Sequence, residues 1–325
     1  MERIIKTPKL MCILSLLLVC TWLPRAIAYE ALILMPEGIH FENTARGITE
    51  DLEGEVTFHK MLVGNKSTSK DISKKIKTLK PDFLVLMGNR VVKLYKGYQD
   101  ANPKAKFPPS IALAALGLDT ILKDVVNSSG IRYEIPAVTS LINLRQLMKK
   151  DLKRVGVIYR PWMKASIMEN AALCQREIIE LVGYELPAES KNISKEITKG
   201  LKKLRSSKID ALWVVNDSAL INRKTITKAW LPGLKKMKVP VIVGVEALAT
   251  NVPLGSLAVT PDHYALGVQA GYIIGDLIDA DMVLESNEIL QPLSIKKLVN
   301  ITILKRNKIS YRKELLSSFD TVIEK

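Results

Sequence analysis

The chain has 325 residues, 47% hydrophobic and 25% charged, with 48 Lys and Arg against 33 Asp and Glu for a net charge of +15. That apolar share excludes a disordered chain, and the length exceeds what one hydrophobic core organises, so two lobes are expected. Three cysteines in all exclude a disulfide scaffold.

Residues 1–28 are a predicted secretion signal. Arg3, Lys6 and Lys9 precede an apolar run from Leu10 to Leu23, and Ala26-Ile27-Ala28 offers the small residues a signal peptidase reads. The run is shorter than the roughly 20 apolar residues a bilayer requires. Cleavage after Ala28 and release into the periplasm are therefore expected. Cys20 follows Val19, where a lipid-attachment site needs a small residue. Cys12 and Cys20 leave with the signal, and Cys174, in a helical pattern, reads as core. Residues 29–325 keep 44 basic against 32 acidic residues. Such a surplus admits nucleic acid, anionic lipid or an acidic partner. The lysines lie on polar helix faces (Lys74, Lys75, Lys77; Lys199, Lys202, Lys203) without interleaved aromatics. A solvated basic surface is the expectation, and nucleic acid is not.

From Ala31 onward, short apolar runs alternate with amphipathic stretches. Ala31–Met35 and Phe83–Met87 read as buried strands, and Val56–Leu62 as a further strand. Ile72, Ile76 and Leu79 mark a helix closed by Pro81, and Gly88-Asn89 turns into a helix bearing Val91, Val92 and Tyr95. Ser110–Leu116 repeats the strand pattern, with a helix over Leu118–Val126. The rhythm breaks around Ile131–Ser140, the expected first connection between lobes, and Leu141–Lys150 is a helix. Strands follow at Arg154–Tyr159, Ala211–Asp217 and Val239–Glu246, with helices over Ile167–Leu181, Ile193–Leu204 and Asn222–Met237. Leu254–Val259 is a later strand. Asp262 opens a helix over Tyr264–Ile278 whose Gly267, Gly271 and Gly275 permit close approach to a sheet. Ile289–Leu304 contains strand-like runs, and Leu315–Val322 is a short terminal helix.

Open parallel sheets bind ligands beyond the carboxyl ends of their strands. Polar groups stand there: Tyr159, Asn216 with Asp217, and Glu246. Gly88 and Asn89 open a helix whose free N–H groups favour an anion, and Arg90 beside them is a ligand clamp or an ordinary surface arginine. Tyr159 and Trp162 stack on a ring or pack at the rim; Glu246 accepts a ligand hydrogen bond or caps a short helix. His40, His59 and His263 show no metal-like spacing. Nucleophile elbows, phosphate-binding loops and zinc motifs are missing, so neither catalysis nor a cofactor is expected.

The runs Val155–Tyr159, Ile209–Asp217, Val239–Gly244, Asp262–Gly267 and Val299–Ile303, in that order behind a signal segment, resemble the ABC-transporter substrate-binding protein family. The resemblance is to the branch with tryptophan- and tyrosine-binding members. It implies α/β architecture: two Rossmann-like lobes with parallel sheets joined by three hinge crossovers, the type I periplasmic binding protein fold. The lobes expected are 29–141 plus 257–287, and 142–256 plus 288–325. The implied ligand set is Gly88, Asn89, Arg90, Tyr159, Asn216, Asp217, Glu246 and Asp262. Asp217 pairs with a ligand ammonium, caps a helix, or does both. The first-lobe strand ends depart from the family pattern, with Ile111–Gly117 offering no polar side chain. The implied function is delivery of a small amino-acid-like or aromatic ligand by a monomer to an inner-membrane ABC permease. The alternative is an extracytoplasmic sensory or assembly partner of a membrane protein.

Overall fold

The computed structural model describes residues 29–284 and 286–324. The signal segment, with Cys12 and Cys20, lies outside the described residues. The first strands are Tyr29–Met35 (β1), Val56–Leu62 (β2), Phe83–Met87 (β3), Ser110–Leu113 (β4) and Ser128–Ile131 (β5). Then come Arg154–Tyr159 (β6), Glu180–Glu185 (β7), Ala211–Val214 (β8), Val241–Val243 (β9) and Leu257–Pro261 (β10). Ile289–Leu290 (β11), Ile295–Asn300 (β12) and Thr321–Ile323 (β13) complete the set. They form two sheets, ordered β11-β5-β4-β3-β1-β2 and β13-β12-β10-β9-β8-β6-β7. All pairings are parallel except β10 with β12.

Every residue of β3, and of β1 from Ala31 on, is buried, as a strand covered on both faces requires. The period of two divides them. Ile33 and Val85 pack with Leu266 and Ile274 on one face, while Leu32, Leu84 and Leu86 pack with Ile72 and Val92 on the other. In the second lobe Ile158, Val214 and Val243 face Ile197, Leu201 and Trp230. On the opposite face Val155 and Ile242 meet Leu141, Leu144 and Cys174. Cys174 is fully buried, and burial raises its thiol pKa to about 11.

The chain passes between the sheets three times: at 132–136, at Asp262, and at 291–294. Two expected lobe boundaries move. Leu257–Pro261, assigned by sequence to the first lobe, is hydrogen-bonded between β9 and β12 in the second sheet. Ile289–Leu290, assigned to the second lobe, pairs with β5 in the first. The helix Ala137–Leu147 belongs wholly to the second lobe, because Ala137, Leu141 and Leu144 pack in its core.

What returns the chain to the first lobe is a helix pair. His263–Asp279 lies so close on Ile39–Asp51 that a Cβ at Gly267 would collide with the Thr44 carbonyl, and one at Gly47 with that of Tyr264. The close approach expected against a sheet is thus made against another helix. Gly275 faces open space. Two strands escaped the sequence pattern. Glu180–Glu185 is an edge strand with one alternating face, following a helix that ends at Arg176. Ser128–Ile131 is built from Ser-Ser-Gly because a side chain at Gly130 would strike the Ala112 carbonyl and Leu118. The end of the chain is also a strand, β13, where a helix was expected; a 3₁₀ turn over Lys313–Ser318 precedes it.

Among the described residues no helix is long and apolar enough to cross a membrane. Charge is divided unevenly. Residues 29–131 and 262–290 hold 14 basic against 18 acidic groups, while 137–261 and 291–325 hold 29 against 13. The basic surplus therefore sits on the second lobe.

Candidate functional site

A cavity of about 320 Å³ opens between the sheets. Its walls are the segments that follow β4, β5 and β11 on one side, and β6, β8 and β9 on the other. This is where ligands enter open parallel sheets, and the volume lies at the small end of the roughly 300–1,000 Å³ typical of ligand sites. Two indoles, Trp162 and Trp213, line it. So do three carboxylates, Asp119, Glu134 and Glu169, against a single guanidinium, Arg132.

Arg132 stands on the first connection between the lobes. Its Nε and Nη2 donate to both Asp119 oxygens at 2.6–3.1 Å, and its Nη1 lies 3.6 Å from Glu169 of the second-lobe helix Lys164–Arg176. One guanidinium therefore ties an acid from each lobe at the connection. Two residues on, Glu134 accepts a hydrogen bond from the Gly117 amide at 2.6 Å. Burial is the main cause holding its carboxyl above the usual range, with Asp119 adding to it; the Gly117 amide and Arg132 oppose the shift. No cation forms an ion pair with Glu134 among the described residues. Gly117 itself sits at φ +64 and meets the Trp162 ring, 3.7 Å from where its Cβ would be. An indole of the second lobe thus touches the first-lobe wall.

The first and second connections, with the helix Ile39–Asp51, add a ring cluster. Tyr133 Oη is hydrogen-bonded to His263 Nε2 at 3.1 Å, and His263 stacks on His40 with centroids 4.2 Å apart. Burial, reinforced by His40 and Lys296 and partly offset by Asp262, lowers the His263 pKa to about 4. Among the described residues no group of His, Cys, Asp and Glu could hold a metal ion.

Of the residues expected from sequence, Asn216 lines the cavity. Its Nδ2 donates to the Gly244 carbonyl at 3.4 Å, and its Oδ1 is buried without a partner. Asp217, beside it, does not face the cavity as a free acid. Arg160 holds it bidentately, Nε to Oδ2 at 2.6 Å and Nη2 to Oδ1 at 3.0 Å, and the Ala219 amide donates to Oδ1 at 2.7 Å. The expected helix cap is not formed: the Ala219 contact closes a turn, the next helix, Arg223–Thr225, is capped by Asn222, and the position expected of a ligand ammonium is taken by Arg160.

The first-lobe candidates are spent on structure. Gly88 is covered by Pro36 and Phe41. Asn89 bridges to Leu116, donating to its carbonyl at 2.6 Å and accepting from its amide at 2.9 Å. Arg90 donates to the carbonyls of Gly64, Asn65 and Ser67 at 2.6–3.0 Å, which makes it a loop anchor and not an anion clamp. Tyr159 turns toward the edge strand, its ring over Gly183 and its hydroxyl 3.4 Å from Glu185. Glu246 is exposed at the start of the helix Ala247–Thr250. Asp262 caps His263–Asp279 through the amides of Tyr264 and Ala265, with Lys296 at 3.5 Å.

Sequence reasoning missed Arg132, Glu134 and Trp213. Trp213 read as an ordinary core residue of β8. Arg132 and Glu134 had a usable signal: charged side chains flanking a tyrosine in a short connection between lobes, a segment that borders the cleft by topology.

No protein-family model matches the chain, and no curated protein sequence does. Solved structures do match. An ABC domain from Streptococcus pneumonia in complex with L-Trp gives a TM-score of 0.58 at 18% identity, over 91% of this chain and 100% of that one. The ligand-free, open form of a substrate-binding protein with adhesive properties from Clostridium difficile gives 0.67 at 17%, over 92% and 100%. A periplasmic ribose ABC transporter structure from Conexibacter woesei gives 0.50 at 15%, over 87% and 95%. Likeness at such identities is likeness of fold: the chain has the type I periplasmic binding protein fold.

Proposed function

We propose that this protein is an exported solute-binding protein. It closes around a small organic ligand, amino-acid-like or aromatic, and hands it as a monomer to an inner-membrane ABC permease. The observation behind this reading is the cavity built from strand ends of both lobes, with two indoles and a few polar groups converging on it. Neighbours of the same fold include a protein in complex with L-Trp and a substrate-binding protein. The work of such a site is binding, with no bond made or broken.

Closure is useful when ligand binds the closed arrangement better than the open one. Ligand in the cavity would bring second-lobe Trp162 and Trp213 and first-lobe Gly117 onto one molecule. Export rests on residues 1–28, and N-terminal sequencing of the secreted form should begin at Tyr29. The binding reading is tested by a thermal-shift screen of small metabolites. One compound at a hundred times its Kd should add about 2.7 kcal/mol of stability. A screen without any shift would contradict solute binding.

A second reading is favoured by one observation. Asp217 is already neutralised by Arg160, so the ligand site is altered from the expected form. On that reading the same fold is a sensory or assembly partner recognised by a membrane protein. Copurification would separate the two: a permease with its ATPase supports uptake, a membrane kinase or cyclase supports sensing.

A further inference from the structure

We propose that the interlobe cavity selects an organic cation, an aromatic amine lacking a carboxylate; the proposal rests on the solute-binding reading above. Three carboxylates line the cavity against one guanidinium. Glu134 presents a carboxylate bonded by the Gly117 amide and, among the described residues, paired with no cation. Asn216 Oδ1 is buried with no partner. A ligand that neutralises Glu134 must bring positive charge and an N–H group.

The cations that a ligand carboxylate would need are already engaged. Arg132 is held by Asp119 and Glu169, Arg160 by Asp217, and Arg90 by three carbonyls of the 64–67 loop. A carboxylate entering the cavity would meet Asp119, Glu134 and Glu169 instead. Like charges brought together away from water repel strongly, whereas an ammonium there gains from the same low dielectric. Trp162 and Trp213 line the cavity, and the Arg160 guanidinium already lies over the Trp162 ring, 5.7 Å from its centroid, so an indole here does take a cation.

The titration of Glu134 agrees with that geometry. Burial outweighs the other influences, Arg132 included, and raises its pKa, as expected of an acid that no cation contacts directly. An ammonium beside it would lower that pKa. Binding therefore releases a proton, and affinity falls as pH drops through the raised range.

The test is titration calorimetry with three matched probes: tryptamine (amine alone), L-tryptophan (amine and carboxylate) and indole-3-propionate (carboxylate alone). Tyramine, tyrosine and its deaminated acid repeat the series on a smaller ring. An amine should bind at least tenfold more tightly than its parent amino acid, and the carboxylates should give no heat. Glu134→Gln keeps an acceptor for the Gly117 amide. It should weaken amine binding at least tenfold and remove the pH dependence while raising Tm, because the buried charge is gone. The proposal is overturned if L-tryptophan or a carboxylate binds as well as the amine, or if Glu134→Gln binds the amine unchanged. It is overturned alone if the amines fail while another compound of the metabolite screen stabilises the protein. If nothing in that screen does, the solute-binding reading falls with it.

Discussion

Arg160 and Asp217 differ in what each leaves behind when the other is removed. The Asp217 side chain is 1% exposed and that of Arg160 34%. Without Arg160 a carboxylate stays buried with no cation, which costs about 3–5 kcal/mol. Without Asp217 the guanidinium can turn into solvent, so the loss is smaller. Arg160→Ala should therefore lower the urea midpoint more than Asp217→Ala, and adding Asp217→Ala to Arg160→Ala should recover part of the loss. Equal losses would show that the pair contributes little. Asp217 was visible in the sequence as a strand-end acid. Its partner was not, because Arg160 and Asp217 are 57 residues apart and nothing local brings them together. Asn89 and Arg90 likewise read as polar groups at a helix start. What they bind, the backbone of Leu116 and of the 64–67 loop, is set by tertiary structure.

The connecting segments are where sequence said least and where the site is densest. The central strands were legible since uninterrupted apolar runs such as Phe83–Met87 fit a strand covered on both faces. The helix Ser69–Leu79 was legible from its apolar stripe, and Thr68 caps it with Asp71 in a capping box. By contrast, 132–136 has no periodicity to read, and β5 has Ser-Ser-Gly where a strand former is expected. His263, at the second connection, gives these segments a pH signature. Its folded pKa of about 4 lies below the ordinary 6.5, so the unfolded chain takes up the proton first. That contribution to stability is present above about pH 6.5 and is lost as pH falls toward 4. A tenfold change in a proton equilibrium corresponds to about 1.4 kcal/mol, so the contribution at neutral pH is about 3 kcal/mol. Urea midpoints at pH 7.5, 6 and 5 should fall less steeply for His263→Gln, which can still bond Tyr133. An unchanged slope would show that another group governs acid unfolding.

At the scale of the molecule, the order of strands and helices announced two α/β lobes, and the structure has them. The uneven division of charge was hidden. Residues 262–290 contain six acidic and no basic residues, and they return to the first lobe through the Gly47–Gly267 contact. A charge count along the chain cannot show this until the path of the chain is known. The cavity is acidic within a basic protein: Asp119 comes from the first lobe, Glu134 from the first connection and Glu169 from the second lobe. Local field, and not net charge, then decides which solute enters.

The central claim is that a small solute is held between the lobes, on groups drawn from both. A crystal structure grown with whichever compound raises Tm most tests it directly. The compound should lie in the cavity against Glu134, Trp162, Trp213 and Asn216. A saturating compound found on an outer surface, with that cavity empty, would contradict the account.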